Sequence, residues 1–179
     1  MDAGALSHVG AVDLAVAFTS CDDVRNANCA AEALFAAAGL AGARVCFEPL
    51  IDLDRTLDAV HGLLDTSCNP RPAFHVLRTL NTVLFHEPDP RAVPGRLERR
   101  GAAIRTLAGP SGLRALITSR ERGLPDLRGL TFPGVSPDAP SRLYLLAKGS
   151  DQKGPLDRLL RYASGLSPPV LLTSMLPKG

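Results

Sequence analysis

The apolar run at residues 12–18 (VDLAVAF) delivers Thr19 and Ser20 straight into a polar turn, Cys21-Asp22-Asp23. A continuous apolar run of this length reads as a strand buried on both faces. The carboxylates that follow suit a helix start, where unpaired amides and the positive end of the helix dipole attract negative charge. Alanine-rich sequence then carries a helix over residues 24–38 until Gly39 stops it. A hydroxyl at a strand-to-helix turn is a place for a nucleophile, which makes Ser20 the first candidate; its ordinary role would be to cap the helix.

Further along, residues 44–48 read as a second strand. Asp52 or Asp54 can cap a helix that sets Leu57, Val60, Leu63 and Leu64 on one face and ends near Thr66. Residues 74–77 are short and apolar enough for a third strand, although the segment through residue 85 also suits a helix. A proline-led helix through Arg100, a turn at Gly101 and a fourth strand at 102–107 follow. Strands alternating with helices at this spacing imply an α/β three-layer sandwich around a mostly parallel central sheet. Beyond Gly109 the sequence suggests a helix at 111–122, a Pro/Gly-rich connector at 123–140, a strand at 143–147, a helix at 155–164 and a last strand at 170–173. A chain of 179 residues, 45% hydrophobic, can bury one core. The expected organisation is a single domain, with 1–109 as its α/β core and 110–179 as an extension of it.

The net charge of +2 conceals an asymmetry. Residues 1–90 hold 5 basic and 12 acidic side chains, and residues 91–179 hold 15 basic and 6 acidic. The basic half can follow a phosphate backbone by counterion release, or simply form a solvated surface. Cys21, Cys29, Cys46 and Cys68 lack a C-x-x-C spacing, which fits reduced thiols. His8, His61, His75 and His86 do not combine with Cys68 in a zinc pattern, so neither metal nor cofactor is expected. The N-terminus lacks a secretory pattern and no apolar run is long enough to span a bilayer, which points to a soluble intracellular protein that does not engage membranes.

Several segments, in order, resemble the catalytic domain of serine recombinases, the resolvases and invertases. They are Val16-Ala17-Phe18-Thr19-Ser20-Cys21, Asp54-Arg55, Leu77-Arg78-Thr79-Leu80-Asn81-Thr82 and the stretch 97–107. The family's first strand ends in Y-A-R-V-S, a D-R pair follows its second strand, and L-D-R-L-G-R follows its third. The resemblance covers residues 12 to about 108 and implies a resolvase-like fold, with Ser20 at the nucleophile position and Arg55 as the arginine of the D-R pair. Phe18 stands where the first-strand arginine would be, and Thr79 and Thr82 stand where the two later arginines would be.

Three of the four expected guanidiniums are therefore missing. Attack of a serine on a phosphodiester builds charge on the phosphoryl oxygens, and losing one preorganised donor typically costs about 3–4 kcal/mol of barrier. The resemblance thus implies an inactive member of the kind known in poxviruses, with Ser20 and Arg55 vestigial. Such a protein would act by binding protein or nucleic-acid partners in a host nucleus, nucleolus or cytoplasm, and the resemblance also allows a homodimer. Arg55, Arg78, Arg96, Arg99, Arg100 and Arg105 are the candidate nucleic-acid contacts. Two other classes stay open: an active α/β hydrolase or transferase using Ser20, Cys21 or Cys46 as nucleophile, and a nonspecific nucleic-acid binder using the basic C-terminal half.

Overall fold

The computed structural model describes residues 12–40, 42–52, 61–85 and 92–175. It contains eight strands and three helices among them: β1 Val12–Ala17, α1 Asp23–Ala38, β2 Ala43–Glu48, α2 Pro72–Leu80, β3 Val93–Arg99, β4 Ala102–Gly109, β5 Gly112–Thr118, β6 Pro140–Leu145, β7 Ser150–Pro155, α3 Leu156–Ala163 and β8 Val170–Ser174. A π-helical turn, Asn81–Phe85, extends α2, and a 3-10 turn, Leu146–Lys148, joins β6 to β7.

The α/β class holds, but the resolvase-like arrangement around a mostly parallel central sheet does not. The main sheet is six-stranded and antiparallel, in the order β3-β4-β5-β8-β6-β7, and only β1 and β2 pair in parallel, as a separate two-stranded sheet. The cause is local. Parallel neighbours need crossover helices, yet β3 to β4 turns on Arg100-Gly101 and β4 to β5 on Pro110-Ser111. Gly101 supplies a positive φ of 83° at the first of these turns.

Two segments expected as helices are strands. The stretch leading to Arg100 is β3, an edge strand, where Pro94 loses no ladder bond that a neighbour needs. The 111–122 stretch is β5, in the middle of the sheet. The expected third strand at 74–77 is instead α2, whose Pro72 occupies the first turn where a missing N–H costs nothing. Part of the helix expected between Asp52 and Thr66 lies outside the described residues; at its far end Leu64 is extended, bridging Ile51 and Pro70. β7, with the sequence SDQKGP, carries no apolar signal and pairs only with β6. β1 is not buried on both faces: Leu14 and Val16 are half-buried while Asp13, Ala15 and Ala17 are exposed.

The main sheet has a helix layer on each side. One cluster joins Ala27, Ala31, Leu34 and Phe35 of α1 and Val76 and Leu80 of α2 to Leu107, Leu116 and Leu171 of the sheet. The β1–β2 pair packs on the same cluster through Val45 and Phe47. The other cluster joins Leu156, Leu159 and Leu160 of α3, with Leu124, Leu127 and Phe132 of the connector, to Ala115, Ile117, Leu143 and Leu172. Alternate residues of β5 and β8 serve opposite clusters, as the two-residue strand period requires. The sheet spans the 109/110 division expected from sequence, because β4 and β5 are hydrogen-bonded neighbours. Among the described residues no helix is long and apolar enough to cross a membrane.

Candidate functional site

Ser20 sits between β1 and α1, as its sequence context indicates, but its surroundings are acidic. Its Oγ accepts a hydrogen bond from the Asp22 amide at 3.1 Å, and its carbonyl accepts one from Asn26 Nδ2 at 2.9 Å. The helix cap is Asp22, whose Oδ1 accepts from the Val24 and Arg25 amides. Ser20 therefore supports the turn from which Asp22 caps, one step removed from capping itself. It borders a hollow of about 700 Å³ with Cys21, Asp22, Asp23 and, from the connector, Arg122.

Among the described residues, the positions that carry the recombinase resemblance do not gather around that hydroxyl. Phe18 is buried and stacks on Phe47 with ring centroids 5.8 Å apart. Arg78 is exposed on α2, and its Nη2 comes within 3.1 Å of the position a Cβ on Gly149 would take, at the β6–β7 turn. Thr82 donates to the Arg78 carbonyl at 3.0 Å, and Thr79 lies on α2. Arg55 and Asp54 lie outside the described residues. Cys21 and Cys46 are both exposed. Among the described residues no group of three His, Cys, Asp or Glu side chains is placed to hold a metal ion.

Arg71, which the sequence did not single out, is the cation that ties this region together. Its guanidinium reaches Asp52 at 2.6 and 3.2 Å and Asp23 of α1 at 3.3 Å, and Asp52 also accepts the Gly62 amide at 2.7 Å. Its hydrogen-bonding capacity is spent on two carboxylates, which suits a structural tie better than an anion contact. The Arg71 hydrogen bond holds the Asp52 carboxyl below the ordinary carboxylate range, and Asp52 in turn raises Arg71. A carboxyl depressed on folding stabilises above its unfolded pKa, near 3.8, and loses that contribution as pH falls through its folded value. Arg71→Gln is expected to cost about 2 kcal/mol at neutral pH and to flatten the acid limb of the stability curve. Urea unfolding between about pH 7 and pH 3 measures both.

A second site lies at the β3–β4 hairpin. Arg96, Arg99, Arg100 and Arg105, four of the arginines singled out from sequence, line one cleft of about 700 Å³, joined by Arg120 from just beyond β5. Glu32, Glu98 and Glu121 also line it, so five guanidiniums face three carboxylates. Arg96 and Arg105 stand directly opposite each other in the β3–β4 register, a like-charge pairing that costs stability. That cost is relieved by Glu98, 3.2 Å from Arg96, and by Glu32 of α1, 3.6 Å from Arg105. Glu32 is itself held by Thr118, whose hydroxyl donates to it at 2.7 Å. Arg99 donates to the Asp126 and Arg128 carbonyls, which pins the hairpin to the connector. Arg100 and Arg120 are exposed and have no carboxylate partner among the described residues. Arg120 was missed because only the antiparallel pairing of β4 with β5 brings it beside the hairpin.

Comparison with family models, with curated proteins and with solved structures finds no match to this chain.

Proposed function

We propose that the protein is a noncatalytic nucleic-acid-binding protein that engages the phosphate backbone at the β3–β4 hairpin cleft. The observation that carries this reading is the convergence of five arginines on one cleft, two of which, Arg100 and Arg120, have neither an ion-pair nor a hydrogen-bond partner among the described residues. Guanidiniums recognise phosphate oxygens in a bidentate fork, and displaced counterions supply the driving force. A backbone contact of this kind positions a strand without reading its bases, so binding is expected to be indifferent to sequence.

Ser20 supports the noncatalytic part. A serine that attacks a phosphodiester needs a base and a set of fixed cations. Around Ser20 the near groups among the described residues are Asp22, Asp23 and a single cation, Arg122, and Arg71 is occupied by carboxylates. Descent from an inactivated serine recombinase is proposed on motif order alone, and it adds the expectation that no seryl–DNA intermediate forms.

Two measurements test the reading together. Fluorescence anisotropy with a labelled single strand and a labelled duplex is expected to give saturable binding at low salt, with no preference between unrelated sequences. Denaturing electrophoresis after incubation with duplex DNA is expected to reveal no covalent adduct, and Ser20→Ala is expected to bind as the wild type does. Absence of binding at low salt overturns the proposal. So does a covalent adduct lost in Ser20→Ala.

A further inference from the structure

The six-stranded sheet carries a second concentration of cations, at the end of β5 opposite the arginine cleft. Register fixes it. Arg114 of β5 pairs with Thr173 of β8, Thr173 with Arg142 of β6, and Arg142 with Lys153 of β7. Directly paired residues share a face of the sheet, so these four side chains form one row across four strands. The next row on that face is Leu116, Leu171 and Tyr144, which α1 and α2 cover. On the β4 side the Arg114 row continues to Leu107, buried beside Gly39 at the end of α1; from Arg114 to Lys153 it lines a cavity of about 570 Å³.

The cavity has the make-up of a small-molecule site: an apolar wall with a few converging polar groups. Pro140, Pro155 and Met175 contribute the apolar surface. Arg142 is fixed before any ligand arrives. Asp151 takes its guanidinium in a fork at 2.7 and 3.0 Å, and the Tyr144 ring lies beneath it at 4.9 Å. A guanidinium held in this way loses little further freedom on binding an anion. Arg142 and Lys153 are like charges directly across a strand pair; Asp151 relieves part of that repulsion, and an anion between them would relieve more. Asp138 also lines the cavity; its negative charge disfavours an extended polyanion and suits a compact one.

We propose that this cavity binds a small phosphate-bearing molecule, with Arg142, Lys153 and Thr173 holding the phosphate and the wall of Pro140, Pro155 and Met175 receiving an apolar group attached to it. The site is independent of the nucleic-acid reading. Counted from Arg105 of β4, Arg142 of β6 lies three strands away and Lys153 of β7 four, about 14 and 19 Å at roughly 4.8 Å per strand.

Phenyl phosphate and inorganic phosphate, titrated calorimetrically into the full chain at low salt, test the inference. Phenyl phosphate is expected to bind with one-to-one stoichiometry, about tenfold tighter than inorganic phosphate because of the apolar wall. Lys153→Gln and Thr173→Val should each weaken it by about fivefold with an unchanged melting temperature. Arg142→Gln should weaken it more; because that change also strands Asp151, the exposed Lys153 position decides if Arg142→Gln fails to fold. Arg100→Gln with Arg120→Gln should leave phenyl phosphate binding intact. No saturable heat up to about 10 mM, equal affinity for the two phosphates, or affinity untouched by Lys153→Gln and Thr173→Val overturns the proposal. Loss of binding on changing Arg100 and Arg120 overturns it as well, since the ligand would then occupy the other cleft.

Discussion

Ala115→Glu is expected to cost the protein about 4 kcal/mol, a large share of the roughly 5–15 kcal/mol that holds a domain folded. Ala115 is fully buried on β5, paired with Leu172 of β8, and belongs to the cluster under α3 and the connector. A carboxylate introduced there meets Leu, Ile and Val side chains rather than a cation, and an uncompensated buried charge is among the few changes that cost this much. Urea unfolding at neutral pH reads the loss, with circular dichroism reporting the fraction folded. The substitution also discriminates between two folds for the same segment. On an amphipathic helix over 111–122, Ala115 would lie away from Leu113, Leu116 and Ile117, and glutamate, a good helix former, would be tolerated within about 0.5 kcal/mol. Tolerance would return this segment to a helix and take the antiparallel sheet with it.

That segment explains how the sequence misleads. Leu113, Leu116 and Ile117 recur at i, i+3 and i+4, the spacing of a helix face, and Leu, Arg and Ala are strong helix formers. In the sheet the same residues alternate: Leu113, Ala115 and Ile117 serve one cluster and Leu116 the other. A strand buried on both faces has no polar side to betray its two-residue period, so spacing alone cannot separate it from a helix. β7 fails for the opposite reason, since an edge strand of polar residues offers no apolar period at all. The elements that were legible were those with both a period and a punctuation mark. α1 has Asp22 before it and Gly39 after it, β2 runs as expected, β4 follows Gly101, and α3 and β8 lie where the C-terminal pattern set them.

The candidate sites divide along the same line. Four of the five arginines of the hairpin cleft, Arg96, Arg99, Arg100 and Arg105, lie within ten residues of one another in sequence, so their clustering was visible before any fold was known. What was hidden was the element carrying them: a helix end would have neutralised them against its dipole, whereas a two-strand ribbon sets Arg96 against Arg105 and leaves Arg100 at the tip of the turn. Arg114, Arg142 and Lys153 are up to 39 positions apart and meet only through the pairing of β5, β8, β6 and β7. No local signal announces such a row. The Ser20 expectation had the complementary weakness. Its strand-turn-helix geometry was read correctly, but the motif order that would have brought arginines to it placed Arg78 and Thr82 on α2 and its π-helical extension, directed toward the β6–β7 turn and their own backbone.

The salt dependence of nucleic-acid binding is expected to be steep and to be set by the hairpin cleft. If four of its five arginines each neutralise one phosphate, the logarithm of affinity falls against the logarithm of salt with a slope of about −3 for a single strand and about −3.6 for a duplex. Between about 50 and 200 mM salt, that corresponds to a loss of roughly 50- to 150-fold. Arg100→Gln combined with Arg120→Gln removes the two cleft cations that have neither an ion-pair nor a hydrogen-bond partner among the described residues, and both are exposed, so the fold should tolerate the pair. The slope should then become shallower by about 1.5 to 2, with weaker binding at every salt concentration. Glu98→Gln acts in the other direction: freeing Arg96 from its 3.2 Å partner adds a cation to the cleft and should steepen the slope. Anisotropy titrations at four or five salt concentrations give all three values. A slope that the double substitution leaves unchanged would mean that the phosphates are neutralised elsewhere on the basic half, because screening acts on every charge alike but counterion release counts only those in contact.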